Sequence, residues 1–159
     1  MTILIGLPSS GKSTLCSSFS NIISSDIIKK NFKFYNGRFD EKNEHFLWKI
    51  IFSLLEHNLA RCKDIVVDST GLSKSKRLEY IRIADKFNAR KKAIIIRTAY
   101  DIILKRNLQK DPRLRVPFDK LIRLKKIWDE IIQDPEKILL NEGFDEVSVI
   151  NYNTLNTLA

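Results

Sequence analysis

Nine residues near the start, Gly6-Leu7-Pro8-Ser9-Ser10-Gly11-Lys12-Ser13-Thr14, constrain the rest of this 159-residue chain more than any other feature. They fit G-x-x-x-x-G-K-[ST], the phosphate-cradling P-loop. Thr2-Ile3-Leu4-Ile5 before them is a short apolar, β-branched run of the kind a buried parallel strand needs. Ser13 to Asn21 after them can continue as a helix, with Leu15, Phe19 and Ile22 toward the core. Strand, glycine loop and helix together are the context this motif requires.

The residue types follow from the chemistry. Gly6 and Gly11 permit backbone angles and close approaches that a Cβ forbids. The loop from Gly6 through Ser9, Ser10 and Gly11 to Thr14 is expected to turn its N–H groups toward a polyphosphate. Lys12 can reach the β- and γ-phosphates, and the Ser13 hydroxyl is placed to ligate Mg²⁺. ATP and Mg²⁺ are therefore the expected cofactors.

Further along, Ile22-Ile23-Ser24-Ser25 reads as a second strand ending at Asp26. The next stretch, Ile27 to Lys42, interleaves lysines and aromatics from Lys29 to Phe39, a pattern that either grips a single strand of nucleic acid or places phenylalanines in a core with lysines at its rim. Glu44 to Arg61 follows the helical period, with Phe46, Leu47, Ile50, Ile51, Leu54, Leu55 and Leu59 on the buried side. Ile65-Val66-Val67 is a third strand closed by Asp68-Ser69-Thr70-Gly71. A carboxylate at the end of a parallel strand sits where ligands bind in open α/β sheets. Asp68 there either holds a metal-bound water, as a Walker-B aspartate does, or caps a turn.

Ser73 to Asn88 reads as a basic amphipathic helix with Leu78, Ile81, Ile83, Ala84 and Phe87 inward. Ala93-Ile94-Ile95-Ile96 is the fourth strand, and a helix begins at Tyr100. Gln109 to Pro117 is short, basic and bounded by prolines, and Arg106, Lys110, Arg113 and Arg115 fall in or beside it. In a phosphoryl-transfer enzyme such a segment is a lid whose cations stabilise transition-state charge. Phe118 to Ile132 is a further helix, with Leu121, Leu124, Ile127, Trp128 and Ile131 on one face, and Val147-Ser148-Val149-Ile150 is the last strand. The alternation predicts an α/β fold: a P-loop NTPase of the nucleotide-kinase-like kind, with a parallel sheet of about five strands flanked by helices and a basic lid. Residues 1–150 are expected to form one domain and 151–159 a polar tail.

Twenty-eight Lys and Arg against 19 Asp and Glu give a formal charge of +9, which favours a polyanionic partner such as nucleic acid. No apolar run reaches the length of a membrane span, and Met1 is followed at once by the first strand, without the basic segment of a secretory signal. Cys16 and Cys62 lie far apart, match no metal spacing, and each reads as a small core filler rather than half of a disulfide. A reducing compartment, the cytoplasm (of a host, if the chain is viral), is the expected location.

These blocks resemble the P-loop kinases related to the kinase domain of phage polynucleotide 5′-hydroxyl kinase. The resemblance rests on Gly6 to Thr14, on Asp26 with Lys29 three residues on, and on Val66-Val67-Asp68-Ser69-Thr70. It continues through Leu104-Lys105-Arg106-Asn107, Arg113, Arg115 and Val116-Pro117. Asn141 to Val147 resembles a segment of the wider group of small P-loop kinases. Lys29 stands where the family has arginine, Gly71 where asparagine is common, and the Arg106 to Val116 spacing is slightly longer.

The resemblance implies transfer of the γ-phosphate of ATP to a 5′-hydroxyl of DNA or RNA. It implies Asp26 as general base, Lys29 on the acceptor's adjacent phosphate, and Arg106 and Arg113 over the transferring group. Asp68 would support the metal, and Thr70 would orient its neighbours. A small-molecule or nucleotide kinase of the same fold, or an ATP-gated nucleic-acid-binding module, would share many of these features.

Overall fold

A computed structural model describes residues 1–32 and 41–152, apart from the side chains of residues 41, 42 and 113. The predicted strands all form: β1 (Thr2–Ile5), β2 (Ile22–Ser24), β3 (Val66–Asp68), β4 (Lys92–Arg97) and β5 (Glu146–Asn151). They build one parallel five-stranded sheet in the order β2-β3-β1-β4-β5. The helices are α1 (Lys12–Cys16), α2 (Ser25–Asn31), α3 (Glu41–Leu59), α4 (Lys74–Lys86), α5 (Tyr100–Gln109), α6 (Phe118–Gln133) and α7 (Pro135–Glu142). A single 3₁₀ turn, Pro112–Leu114, stands between α5 and α6.

Side-chain alternation along the strands divides the core between the two faces of the sheet. Ile3, Ile5, Val67, Ala93 and Ile95 join the larger cluster with Leu47, Ile51, Tyr80, Trp128 and Leu139. Leu4, Val66, Ile94 and Ile96 face the smaller one with Cys16 and Tyr152. Because β1 lies between β3 and β4, the strand order reverses beside β1, and in open α/β sheets ligands bind at the carboxyl ends of the strands at such a point.

Several local expectations are corrected. The helix after the P-loop ends at Cys16 rather than Asn21, and Phe19 packs from a turn. Asp26 does not end the second strand: β2 stops at Ser24, and Asp26 sits in the first turn of α2, where the helix dipole favours a carboxylate. Residues 33–40 of the basic-aromatic stretch lie outside the described residues. Phe46 and Leu54 on α3, Leu78 and Phe87 around α4, and Ile127 on α6 are exposed, each at the edge of its apolar stripe. On α4 the buried line runs instead through Arg77, Tyr80, Ile81, Ile83 and Ala84.

Helix α7 was not predicted, although its signals are conventional. Asp134 accepts a hydrogen bond from the Lys137 N–H, Pro135 follows it, and Gly143 closes the helix at φ +113°. Asn151 pairs with Arg97 in the sheet, and Tyr152 is buried.

Arg77 is the buried charge that sequence patterning missed. Its guanidinium makes two 2.7 Å bonds to Glu142 on α7, and its Nη1 donates to the carbonyls of Gly71 and Leu72 at 2.8 Å. The two side chains are 2% and 6% exposed. Arg77→Met is expected to destabilise the fold by about 3–5 kcal/mol, because it leaves a buried carboxylate and two carbonyls unpaired. Thermal melting should fall by about 10 °C. Glu142→Gln, which keeps an acceptor without the charge, should cost less. A melting point unchanged in Arg77→Met would show that the pair contributes nothing net.

Candidate active site

The site is assembled at the carboxyl ends of β1 and β3. Parallel register places Leu4 opposite Asp68, and Asp68 opposite Ser24, so the last residues of β2 and β3 meet beside the loop that leaves β1. The Gly6 N–H donates to the Thr70 carbonyl at 3.0 Å, tying the loop to the segment after β3. Gly71 explains itself here. At φ +61° it is left-handed, and a Cβ would come within 2.7 Å of the Leu4 carbonyl oxygen, so asparagine would tolerate the angle but not the space.

The P-loop curls through two left-handed residues, Ser9 at φ +66° and Gly11 at φ +102°. A third anchor comes from the end of β4: the Thr98 hydroxyl, itself buried, donates to the Ser10 carbonyl at 2.7 Å. Sequence reasoning missed Thr98. Its position just past the strand beside β1 was the available signal.

Lys12 is buried and folds back on its own loop, donating to the carbonyls of Gly6 at 2.9 Å and Leu7 at 2.7 Å. Burial lowers its pKa to about 8, against the opposing pull of Asp68 and Asp26. Asp68 is likewise buried, and desolvation raises its pKa while the Lys12 ammonium holds it down. Its Oδ2 accepts from the Ser13 and Ser24 hydroxyls, each at 3.3 Å. Ser24 was not singled out from sequence, yet it completes this oxygen cluster. Cys16, in the adjacent helix, is pushed up to about 12 by burial and is an unreactive thiol there.

The Ser9 and Ser10 hydroxyl oxygens are buried without a hydrogen-bond partner among the described residues. Two unsatisfied buried hydroxyls, an inward lysine and the first-turn amides of α1 make a lining that a polyphosphate would satisfy. The residues present therefore fit ATP. Ser13, Ser24 and Asp68 offer hard oxygen donors suited to Mg²⁺. Among the described residues no group of three or more His, Cys, Asp or Glu could hold a metal alone. A Mg²⁺ ion here would rely mainly on nucleotide phosphates, as is usual for this ion.

Asp26 and Lys29 face the same side of α2 and form an ion pair at 3.4 Å, the consequence of i,i+3 spacing on a helix. Asp26 is 76% exposed, and its charge is felt by both Lys12 and Asp68, which places it at the mouth of the phosphate site. Thr70 takes part through its backbone carbonyl.

Across the site, Arg106 on α5 lies over the ring of Tyr152, 5.8 Å from its centroid. That ring packs on the P-loop, where a Cβ on Gly11 would approach it to 2.8 Å. The lid is folded against α5 by Asn107, whose amide donates to the Val116 carbonyl at 2.9 Å and accepts from the Val116 N–H at 3.0 Å. Lys110 in the lid lowers the Lys12 pKa through space, so the lid's charge reaches the P-loop. Arg113 lies in the 3₁₀ turn, and its side chain is outside the described residues.

This arrangement is a P-loop kinase-like fold with a nucleoside-triphosphate site at the carboxyl end of β1. The profile of the AAA_33 family, described as an AAA domain, matches residues 1–127, and the chain belongs to that family. A curated relative, L-seryl-tRNA(Sec) kinase from Methanococcus maripaludis, is 28% identical over 96% of this chain. The chain spans 66% of that relative's length, just under two thirds. A kinase candidate from Chloroflexus aurantiacus superposes with a TM-score of 0.68 at 12% identity, covering 99% of this chain and 87% of the other. The Pnkp1/Rnl/Hen1 complex gives a TM-score of 0.58 at 18% identity over 74% of this chain and 42% of the matched one. The structural likenesses show that these proteins share this chain's fold. The curated relative is a tRNA kinase rather than a phage polynucleotide kinase.

No helix among the described residues is long and apolar enough to cross a membrane.

Proposed function

We propose that this chain transfers the γ-phosphate of ATP to the 5′-hydroxyl end of a polynucleotide, DNA or RNA. The observation that carries the reading is the Asp26–Lys29 pair on one turn of α2, whose carboxylate charge is felt by the buried Lys12 and Asp68. A carboxylate at the mouth of a phosphate site can accept the proton of an attacking hydroxyl. A lysine beside it can hold the phosphodiester that joins the acceptor's terminal nucleoside to the next one. The formal charge of +9 fits a polyanionic acceptor.

In this scheme Lys12 leaves the Gly6 and Leu7 carbonyls for the β- and γ-phosphates. Ser13 and Asp68 would hold Mg²⁺, which when bound would neutralise phosphate charge. Arg106 and Arg113 close over the transferring group from the lid, and the lid excludes water from it. Asp26 takes the proton from the acceptor oxygen as that oxygen bonds to phosphorus and the bond to ADP breaks.

The curated relative's name favours a second reading, in which the acceptor hydroxyl belongs to a seryl group carried on tRNA. Transfer of labelled γ-phosphate to a panel of acceptors separates the two. The panel holds 5′-hydroxyl DNA and RNA oligomers, the same oligomers already 5′-phosphorylated, seryl-tRNA with its 5′-phosphate, and free nucleosides. Label on the 5′-hydroxyl oligomers alone is expected. Label confined to seryl-tRNA would install the second reading, and label confined to nucleosides would overturn both.

A further inference from the structure

The positive charge of this chain is concentrated in one structural unit. Residues 105–126 hold nine of its 28 Lys and Arg against two acids, Asp111 and Asp119, a net of +7 within a chain of +9. The unit is a helical hairpin. Asn107 near the end of α5 is bonded to Val116 just before α6, and Lys125 on α6 lies over the ring of Tyr100 at the start of α5, 5.4 Å from its centroid. The two helices therefore run back along each other, with the lid as their turn.

Helix α6 turns Leu121, Trp128 and Ile131 to the core, which leaves Ile122, Arg123 and Lys126 on its solvent side. Lys105 on α5 is exposed as well, and neither Lys105 nor Lys126 is ion-paired among the described residues. Among the described residues Arg123 is held only by Asp119, at 2.9 Å with both side chains largely exposed, a pair that competes weakly with another anion. Phe118, 63% exposed at the head of α6, adds an aromatic ring among these cations.

We propose that the outer face of the α5–lid–α6 hairpin docks the phosphate backbone of the polynucleotide acceptor at a distance from its reacting end. The inference rests on the polynucleotide reading above and adds a second contact region to the Asp26–Lys29 site. A phosphodiester chain is the favoured occupant because the charge excess is continuous along the chain, a net of +7 over 105–126, and exposed Lys105 and Lys126 carry no ion pair among the described residues. The unit that carries it also holds Arg106 and the lid that the proposed function brings over the nucleotide, so in that reading a docked backbone would bias closure. An anionic membrane is the less fitting occupant: the exposed apolar residues Leu108, Leu114, Phe118 and Ile122 are dispersed over a helix end, a turn and a second helix.

The test is the triple variant Lys105→Gln, Arg123→Gln, Lys126→Gln, which spares every residue placed in the phosphate site. Binding of a 5′-phosphorylated RNA hairpin, unable to accept phosphate, is followed by fluorescence anisotropy across a salt series. Loss of the three contacts should flatten the slope of log K against log salt by about 2–3 and weaken binding by about tenfold or more at moderate salt. The charge-retaining variant Lys105→Arg, Arg123→Lys, Lys126→Arg should behave as the parent does. KM for a 5′-hydroxyl dinucleotide and kcat should be unchanged in both.

An unchanged slope in the triple Gln variant would overturn the proposal. So would no hairpin binding by the parent, or binding only to vesicles of anionic phospholipid. An equal loss on the dinucleotide would assign these cations to the reacting end and overturn it too. Because the hairpin is unreactive, the binding result is independent of the acceptor panel, and the surface and the reaction can fail separately.

Discussion

Asp26→Asn is expected to lower turnover by about two to four orders of magnitude, the usual contribution of a positioned general base, while ATP affinity stays nearly unchanged. The substitution preserves shape and removes the negative charge, and with it the capacity to accept a proton. Asp26 stands at the mouth of the site, 76% exposed and paired with Lys29 at 3.4 Å, so the fold does not depend on it. An ion pair this open to solvent contributes little, and melting should shift by no more than an ordinary surface change does. Steady-state rates with saturating acceptor, set beside calorimetric ATP binding, provide the check. Near-normal turnover would show that the proton leaves by another route. A parallel loss of ATP affinity would mean that Asp26 acts chiefly through its charge on Lys12.

The features legible in the sequence were those encoded within a few consecutive residues. The P-loop, the strands and the placement of Asp68 at a strand's end all follow from local patterns, and the sheet bears them out. Asp26 was recognised, but its setting was not, because a two-residue shift between strand end and helix start leaves no mark in hydrophobic patterning. What escaped is long-range. Thr98 reaches Ser10 across 88 positions, and Arg77 reaches Glu142 across 65.

A buried arginine reads as surface in any periodic scheme, since its partner lies on an element far along the chain. The Arg77–Glu142 pair nonetheless bears on the site. Through the Gly71 and Leu72 carbonyls it fixes the segment whose Thr70 carbonyl holds Gly6. Tyr152 escaped for the opposite reason. It lies in a polar stretch that resembles a tail, and only the fold reveals that its ring packs on Gly11 and carries Arg106.

Lys12→Ala is expected to cost transfer roughly a thousandfold or more, the scale of losing a preorganised cation from a phosphoryl-transfer site. A modest loss would remove Lys12 from the chemistry. The parent protein offers a second readout. Burial lowers the free-state pKa of Lys12 from 10.5 to about 8. Bound phosphates favour the ammonium and raise that pKa again, so ATP binding takes up a proton wherever the free lysine is partly neutral. Uptake should be small at pH 7 and climb to roughly 0.9 proton per site near pH 9, as linkage requires. Calorimetry in buffers of different ionisation enthalpy measures it directly. ATP affinity should accordingly weaken as pH rises above 8, and Lys12→Ala should abolish the uptake. If the variant took up protons as the parent does, the titrating group would lie elsewhere, and the Lys12 ammonium would not be what nucleotide binding restores to full charge.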